Sequence, residues 1–124
     1  MTPQTLSSSS ISGTTVVNAK GESLGNIKEL MIDTDSGRVA YAVLSFGGFL
    51  GLGDKYFAMP WEAFKIDSEE EKFVLNVEKE RLENAPGFDK DNWPNRATHQ
   101  DYLDSVYNHY GYTPYWRKST SKAY

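Results

Sequence analysis

The chain contains no cysteine, which excludes disulfides, thiolate metal sites and a thiol nucleophile together. It has no apolar run approaching the roughly 20 residues of a membrane-spanning helix. Its start, Met1-Thr2-Pro3-Gln4-Thr5-Leu6 followed by four serines, lacks the basic and apolar segments of a signal peptide. A cytoplasmic protein with no membrane span is therefore expected. Basic residues are few and scattered: 13 Lys and Arg against 17 Asp and Glu leave a net charge of −4, and no cluster of them would attract a phosphate backbone. Nucleic acid is not an expected ligand. The two histidines, His99 and His109, lie ten residues apart, about three helical turns, too far to share one metal from a single helix. Serines and threonines cluster in the N-terminal segment, and no nucleophile is expected.

What is present is a regular alternation of short apolar runs and turn residues. At 124 residues the chain suits one domain with terminal extensions. Residues 1–10 read as a flexible N-terminal segment, 11–88 as the domain, and 89–124 as a C-terminal extension. Val16-Val17 leads into the turn Asn18-Ala19-Lys20-Gly21, and Leu24 to Asp33 follows as a strand carrying Ile27, Leu30 and Ile32. Asp35-Ser36-Gly37 turns the chain back into a central strand, Arg38 to Phe46, apolar on both faces and so covered twice. Lys55 to Met59 pairs back after a loop holding four glycines around Phe49, Leu50 and Leu52, and Pro60 ends it. Phe64 with Ile66, and then Phe73, Leu75 and Val77, give two further strands, and Glu78 to Asn84 reads as helical around Leu82. About six short antiparallel strands describe a small β-barrel, with Val39, Val43, Phe57, Met59, Phe73 and Leu75 expected in its core.

Three motif-like strings do not develop into sites. Asp33-x-Asp35-x-Gly37 begins like a calcium loop but has Ser36 and Leu44 where further ligands belong, so it reads as a hairpin turn. Gly48 to Gly53 has phosphate-loop spacing, yet Asp54 stands in place of the lysine and a strand follows where a helix is required. Asp67, Glu69, Glu70 and Glu71 fall in a solvated turn that cannot split their proton affinities for acid–base work.

Beyond Trp93 the balance changes. Residues 1–92 carry 9 basic and 15 acidic side chains and residues 93–124 carry 4 and 2, so the extension is mildly basic against an acidic barrel. It also holds Tyr102, Tyr107, Tyr110, Tyr112, Tyr115, Trp116 and Tyr124, too many aromatics for a linker. Thr98 with Asp101 makes a capping-box-like start. Tyr102, Leu103, Val106, Tyr107 and Tyr110 recur at helical spacing, and Gly111 supplies the stop, so a helix is predicted over 98–110. These aromatics can close one barrel end, form a self-association surface or make a platform for a flat ligand. Packing onto the barrel takes the largest weight. Trp61 reads mainly as core at the barrel mouth.

The Asp33–Gly37 turn, the Tyr41–Gly53 hairpin and Pro60-Trp61, with Gly13 to Val17 and Gly21 to Gly25, together resemble the PRC-barrel family. The resemblance implies a small barrel that docks proteins and has no catalytic residues or cofactor of its own. Similar barrels form the cytoplasmic domain of the photosynthetic reaction-centre H subunit and the C-terminal domain of the factor that matures the small ribosomal subunit. The chain is expected to be a stand-alone bacterial or archaeal member. Its expected role is that of a non-enzymatic interaction module, homodimeric, with an unidentified protein partner. Phe49, Leu50, Leu52, Trp61, Tyr107, Tyr110, Tyr112, Tyr115 and Trp116 are the expected contact residues. The alternative is a small-molecule or cofactor-binding protein with a pocket between the barrel mouth at Trp61 and the C-terminal aromatics, and a pocket of several hundred Å³ would distinguish it from a filled barrel.

Overall fold

The computed structural model describes residues 5–46, 55–67, 72–89, 92–95 and 99–116. A four-residue helix, α1 (Ser8–Ile11), opens the fold. The Ser7 side chain caps it by accepting from the Ser10 amide, and Ile11 is buried. Among the described residues seven strands follow, with one α-helix before the last of them and one after it: β1 (Thr15–Val17), β2 (Ser23–Asp33), β3 (Arg38–Phe46), β4 (Lys55–Pro60), β5 (Phe64–Asp67), β6 (Lys72–Leu75), α2 (Lys79–Glu83), β7 (Gly87–Phe88) and α3 (His99–Tyr110). They make one sheet in the order β5-β6-β1-β2-β3-β4-β7. All pairings are antiparallel except β1 with β6, which run parallel.

The six expected strands are present, with three differences. The pairing of β1 with β6 is parallel, where an all-antiparallel set is expected. β7 is an additional edge, too short for any periodicity to reveal. Val77 lies beyond the end of β6, in a tight turn whose amide bonds back to the Leu75 carbonyl at 2.8 Å.

The sheet curls on itself. β4 and β6 are separated in the ladder by three strands, yet Trp61, immediately after β4, brings its ring within 5.8 Å of Phe73 in β6. The 3₁₀ turn Trp61–Ala63 carries the chain directly from β4 to β5. Among the described residues the sheet is not closed: no ladder joins the edges β5 and β7, and the chain and its aromatic side chains bridge the gap. Inside sit Val16, Leu24, Ile27, Leu44, Phe46, Phe57, Met59, Phe73 and Leu75, with Ile11 and Leu82 closing the ends.

Two turns are organised by side-chain oxygens. The Asn18 carbonyl oxygen accepts from the amides of Lys20 and Glu22, each at 3.0 Å, while its amide donates to the Glu22 carboxylate. One Asp33 carboxylate oxygen accepts from the Asp35 amide at 3.0 Å, and Gly37, with φ of 77°, donates to the Asp33 carbonyl, making the expected β2–β3 hairpin turn.

The central strand is buried on both faces. Leu44 pairs with Phe57 and Ala42 with Met59 toward the barrel interior, whereas Val43 pairs with Ala58 on the outward face. That outward face is covered by Leu103, Val106 and Tyr107 of α3. Two expected core residues are corrected here. Val43 is fully buried, but under α3, and Val39, beyond a bulge that interrupts the alternation of β3 after Tyr41, is only partly buried.

Candidate interaction site

Helix α3 spans His99–Tyr110, and its predicted cap, Thr98, lies outside the described residues. Its end is a Schellman motif: Gly111, at φ of 79°, donates to the Asn108 carbonyl and the Tyr112 amide donates to the Tyr107 carbonyl at 2.9 Å. This turn directs Tyr112 to Trp116 back across the sheet.

Each described aromatic from Tyr102 to Trp116 finds a distinct seat, and Tyr124 lies outside the described residues. Tyr107 is 2% exposed, and its hydroxyl donates to the Ala40 carbonyl at 2.8 Å. Burial pushes that phenol up to about 12. The Tyr102 hydroxyl donates to the Pro86 carbonyl at 3.0 Å and accepts from the Ala58 amide, and burial raises it to about 12 as well. Tyr110 lies between the barrel interior and the α3 layer, with its hydroxyl buried and lacking a hydrogen-bond partner among the described residues. Burial pushes its phenol well above the ordinary tyrosine range. Tyr112 is half-buried against the barrel core. Trp116 stands edge-on to both Tyr107 and Tyr115, at 5.0 Å from each ring.

Tyr115 forms a latch between the extension and the β2–β3 hairpin. Its hydroxyl donates to the Asp33 carboxylate oxygen that the hairpin turn leaves available, and the Arg38 guanidinium covers its ring at 4.3 Å. The hydroxyl lowers the proton affinity of Asp33, with the hairpin amides adding to the effect. Desolvation first, and then the bond to Asp33, raise that of Tyr115. A second tie joins the two helices: the Arg81 guanidinium donates to the His109 carbonyl at 2.6 Å, and His109 Nε2 lies 3.0 Å from the Arg81 carbonyl. His99 meets the Tyr41 hydroxyl at 3.3 Å. Among the described residues no three His, Cys, Asp or Glu side chains gather to hold a metal.

Of the expected contact residues, Trp61 packs between Phe64 and Phe73, at 5.6 and 5.8 Å. The space between it and Tyr107 and Tyr115 is a cavity of about 200 Å³ that also touches Arg38 and Glu62, below the roughly 300 Å³ at which ligand pockets begin. A larger open depression of about 820 Å³, flanked by Asn26, Lys28, Glu29 and Lys79, adjoins Phe46 at the end of β3 and has no part in the predicted pocket. Phe49, Leu50 and Leu52 lie outside the described residues. The structure therefore gathers Tyr107, Tyr115 and Trp116 into one layer with Trp61 at its margin, and it places Tyr110 and Tyr112 toward the barrel end near α2.

Sequence reasoning missed the Asp33–Tyr115 latch, the Arg81–His109 tie and an exposed apolar pair, Leu6 and Ile66. Only Ile66 had a local signal, the alternation of Phe64 and Ile66 with Lys65 and Asp67.

No helix among the described residues is long and apolar enough to cross a membrane. No curated protein matches the chain in sequence. Among solved structures, the 16S ribosomal RNA processing protein RimM of Pseudomonas aeruginosa is similar at 18% identity and a TM-score of 0.42, over 60% of this chain and 45% of that one. That likeness is too slight to carry an argument. The profile of the PRC-barrel domain, by contrast, matches residues 3–82, the segment that contains α1, β1–β6 and most of α2, and the chain accordingly belongs to the PRC-barrel domain family.

Proposed function

We propose that the protein is a non-enzymatic protein-interaction module that self-associates and presents the Gly47–Gly53 hairpin tip and the partly exposed aromatics of its C-terminal extension to a partner protein. One observation carries the proposal: the barrel mouth is filled. Trp61, Phe64 and Phe73 close it with their own rings, and what space remains beside Tyr107 is about 200 Å³. A mouth so filled has little room to enclose a substrate, and the depression of about 490 Å³ beside Tyr115, Trp116 and His99 lies apart from it, outside the β2–β3 hairpin. The apolar character of Phe49, Leu50 and Leu52, in a loop with four glycines, supports docking at the tip, and Tyr110, Tyr112, Tyr115 and Trp116 keep part of their surface at the edge of the α3 layer. Family membership adds that such barrels dock proteins. The test is affinity capture from the host with the wild-type chain and with Phe49→Asp. A protein retained by the first and lost by the second supports docking at the tip, and identical captures refute it.

A further inference from the structure

The two edges of the sheet differ. β7 is two residues long and follows Pro86, and its Phe88 is covered by Trp93 and Tyr102, at 5.0 and 5.8 Å. These are the ordinary means of blunting an edge against pairing. β5 has four residues, with Lys65 and Ile66 exposed, and among the described residues no strand pairs with its outer side. Ile66 is 50% exposed and Leu6 52%, two of the three most exposed large apolar side chains of the described residues. Both line one groove of about 390 Å³, floored by Ile11 and Phe73.

We infer that the outer edge of β5 pairs antiparallel with the β5 edge of a second copy of this chain, about a two-fold axis through Ile66. The inference rests on the self-association reading above and names the surface that makes it. The register follows from sequence and symmetry. Residues facing each other in an antiparallel ladder lie on the same side of the sheet, so a two-fold axis must pass through a residue position. An axis at 65 sets Lys65 against Lys65 of the partner subunit, and an axis at 67 sets carboxylate against carboxylate. Both juxtapose like charges. An axis at 66 sets Lys65 against Asp67 of the partner subunit twice over, and brings the two Ile66 side chains together. Ile66 lies on the same face as its neighbour Phe73 in β6, so the second Ile66 enters at the groove where Leu6 is exposed. A lysine on an edge usually deters pairing; in this register it specifies it. Because a four-residue ladder with one groove is small beside interfaces of ~1,200–2,000 Å², the dimer dissociates on dilution.

The absence of cysteine makes the test clean. Directly opposed residues in an antiparallel ladder have Cα atoms about 4.5–5.5 Å apart, within the roughly 4.4–6.8 Å that a disulfide spans. Full-length Ile66→Cys is oxidised and followed on non-reducing gels beside Ser36→Cys, an exposed position on the β2–β3 turn. Disulfide dimer is expected to form at least ten times faster at 66 than at 36. In sedimentation, Lys65→Glu is expected to raise the dimer dissociation constant about tenfold, since it opposes like charges at two symmetric places, with an unchanged melting temperature because Lys65 is exposed. Equal cross-linking rates at the two positions, or a wild-type dimer indifferent to Lys65→Glu, overturn the β5 surface and leave self-association standing. A wild-type chain that stays monomeric throughout overturns both.

Discussion

Tyr107 tests whether α3 is a fixed part of the fold. Its hydroxyl lies 2.8 Å from the Ala40 carbonyl oxygen and its ring is packed against Trp116, so truncation can be taken in two steps. Tyr107→Phe keeps the ring and removes the donor. A typical hydrogen bond contributes about 1 kcal/mol net, and leaving a buried carbonyl without its donor raises the loss to at most ~3 kcal/mol. Tyr107→Ala also empties a site only 2% exposed, which brings the total to ~3–5 kcal/mol, as for other large aromatic truncations. Against a native stability of ~5–15 kcal/mol, the first variant remains folded and the second stands near the margin. Urea denaturation followed by circular dichroism gives both values, and an unchanged slope confirms that stability alone has moved. If Tyr107→Ala lies within about 0.5 kcal/mol of wild type, α3 is not docked on β3 and β4, and the layered core described here is wrong.

Gly25 has φ of 101°, and a Cβ there would stand 2.1 Å from the Ser45 carbonyl oxygen, whereas Gly21, at 83°, has open space around it. Urea midpoints should place Gly21→Ala ~1–2 kcal/mol below wild type, the cost of the backbone alone, and Gly25→Ala more than ~3 kcal/mol below, because β2 must move off β3. The Tyr115–Asp33 latch should respond to acid. The depressed proton affinity of Asp33 in the folded state means its contribution is present above the ordinary carboxylate value of 3.8 and is lost as pH falls below it. The stability gap between wild type and Tyr115→Phe, measured across pH 7 to 2, should therefore close at the acid end, and a gap independent of pH would remove the latch. A chelator and a panel of nucleotides should leave the melting temperature unchanged, since a ligand bound only by the native state adds ~2.7 kcal/mol at a hundredfold excess over its Kd; a clear fall with the chelator or a clear rise with a nucleotide favours the ligand-binding alternative.

The local grammar of the chain made most of the fold legible. Arg38 to Phe46 is apolar without alternation, which requires cover on both faces, and the spacing of Tyr102, Leu103, Val106, Tyr107 and Tyr110 with Gly111 supplies a helix to provide it. What the pattern cannot carry is which layer takes which face. Val43 reads as barrel interior, yet its parity puts it on the outward side with Ala58. The parallel pairing of β1 with β6 joins Val16 to Phe73, a register that no local run of residues encodes. The same holds for the interaction site. That Tyr115 and Trp116 would be used was readable from composition, but the partner of Tyr115 is Asp33, 82 residues away, chosen by how the extension crosses the hairpin. Ile66 was correctly placed on a strand, but only the strand order shows that strand to be an open edge.

Self-association is tested most directly by sedimentation velocity on the full-length chain across a hundredfold concentration range. The sedimentation coefficient should rise with concentration from that of a 14.0 kDa monomer toward that of a dimer, with no larger species, as a closed two-fold interface requires. A coefficient that stays at the monomer value to the highest concentration contradicts it.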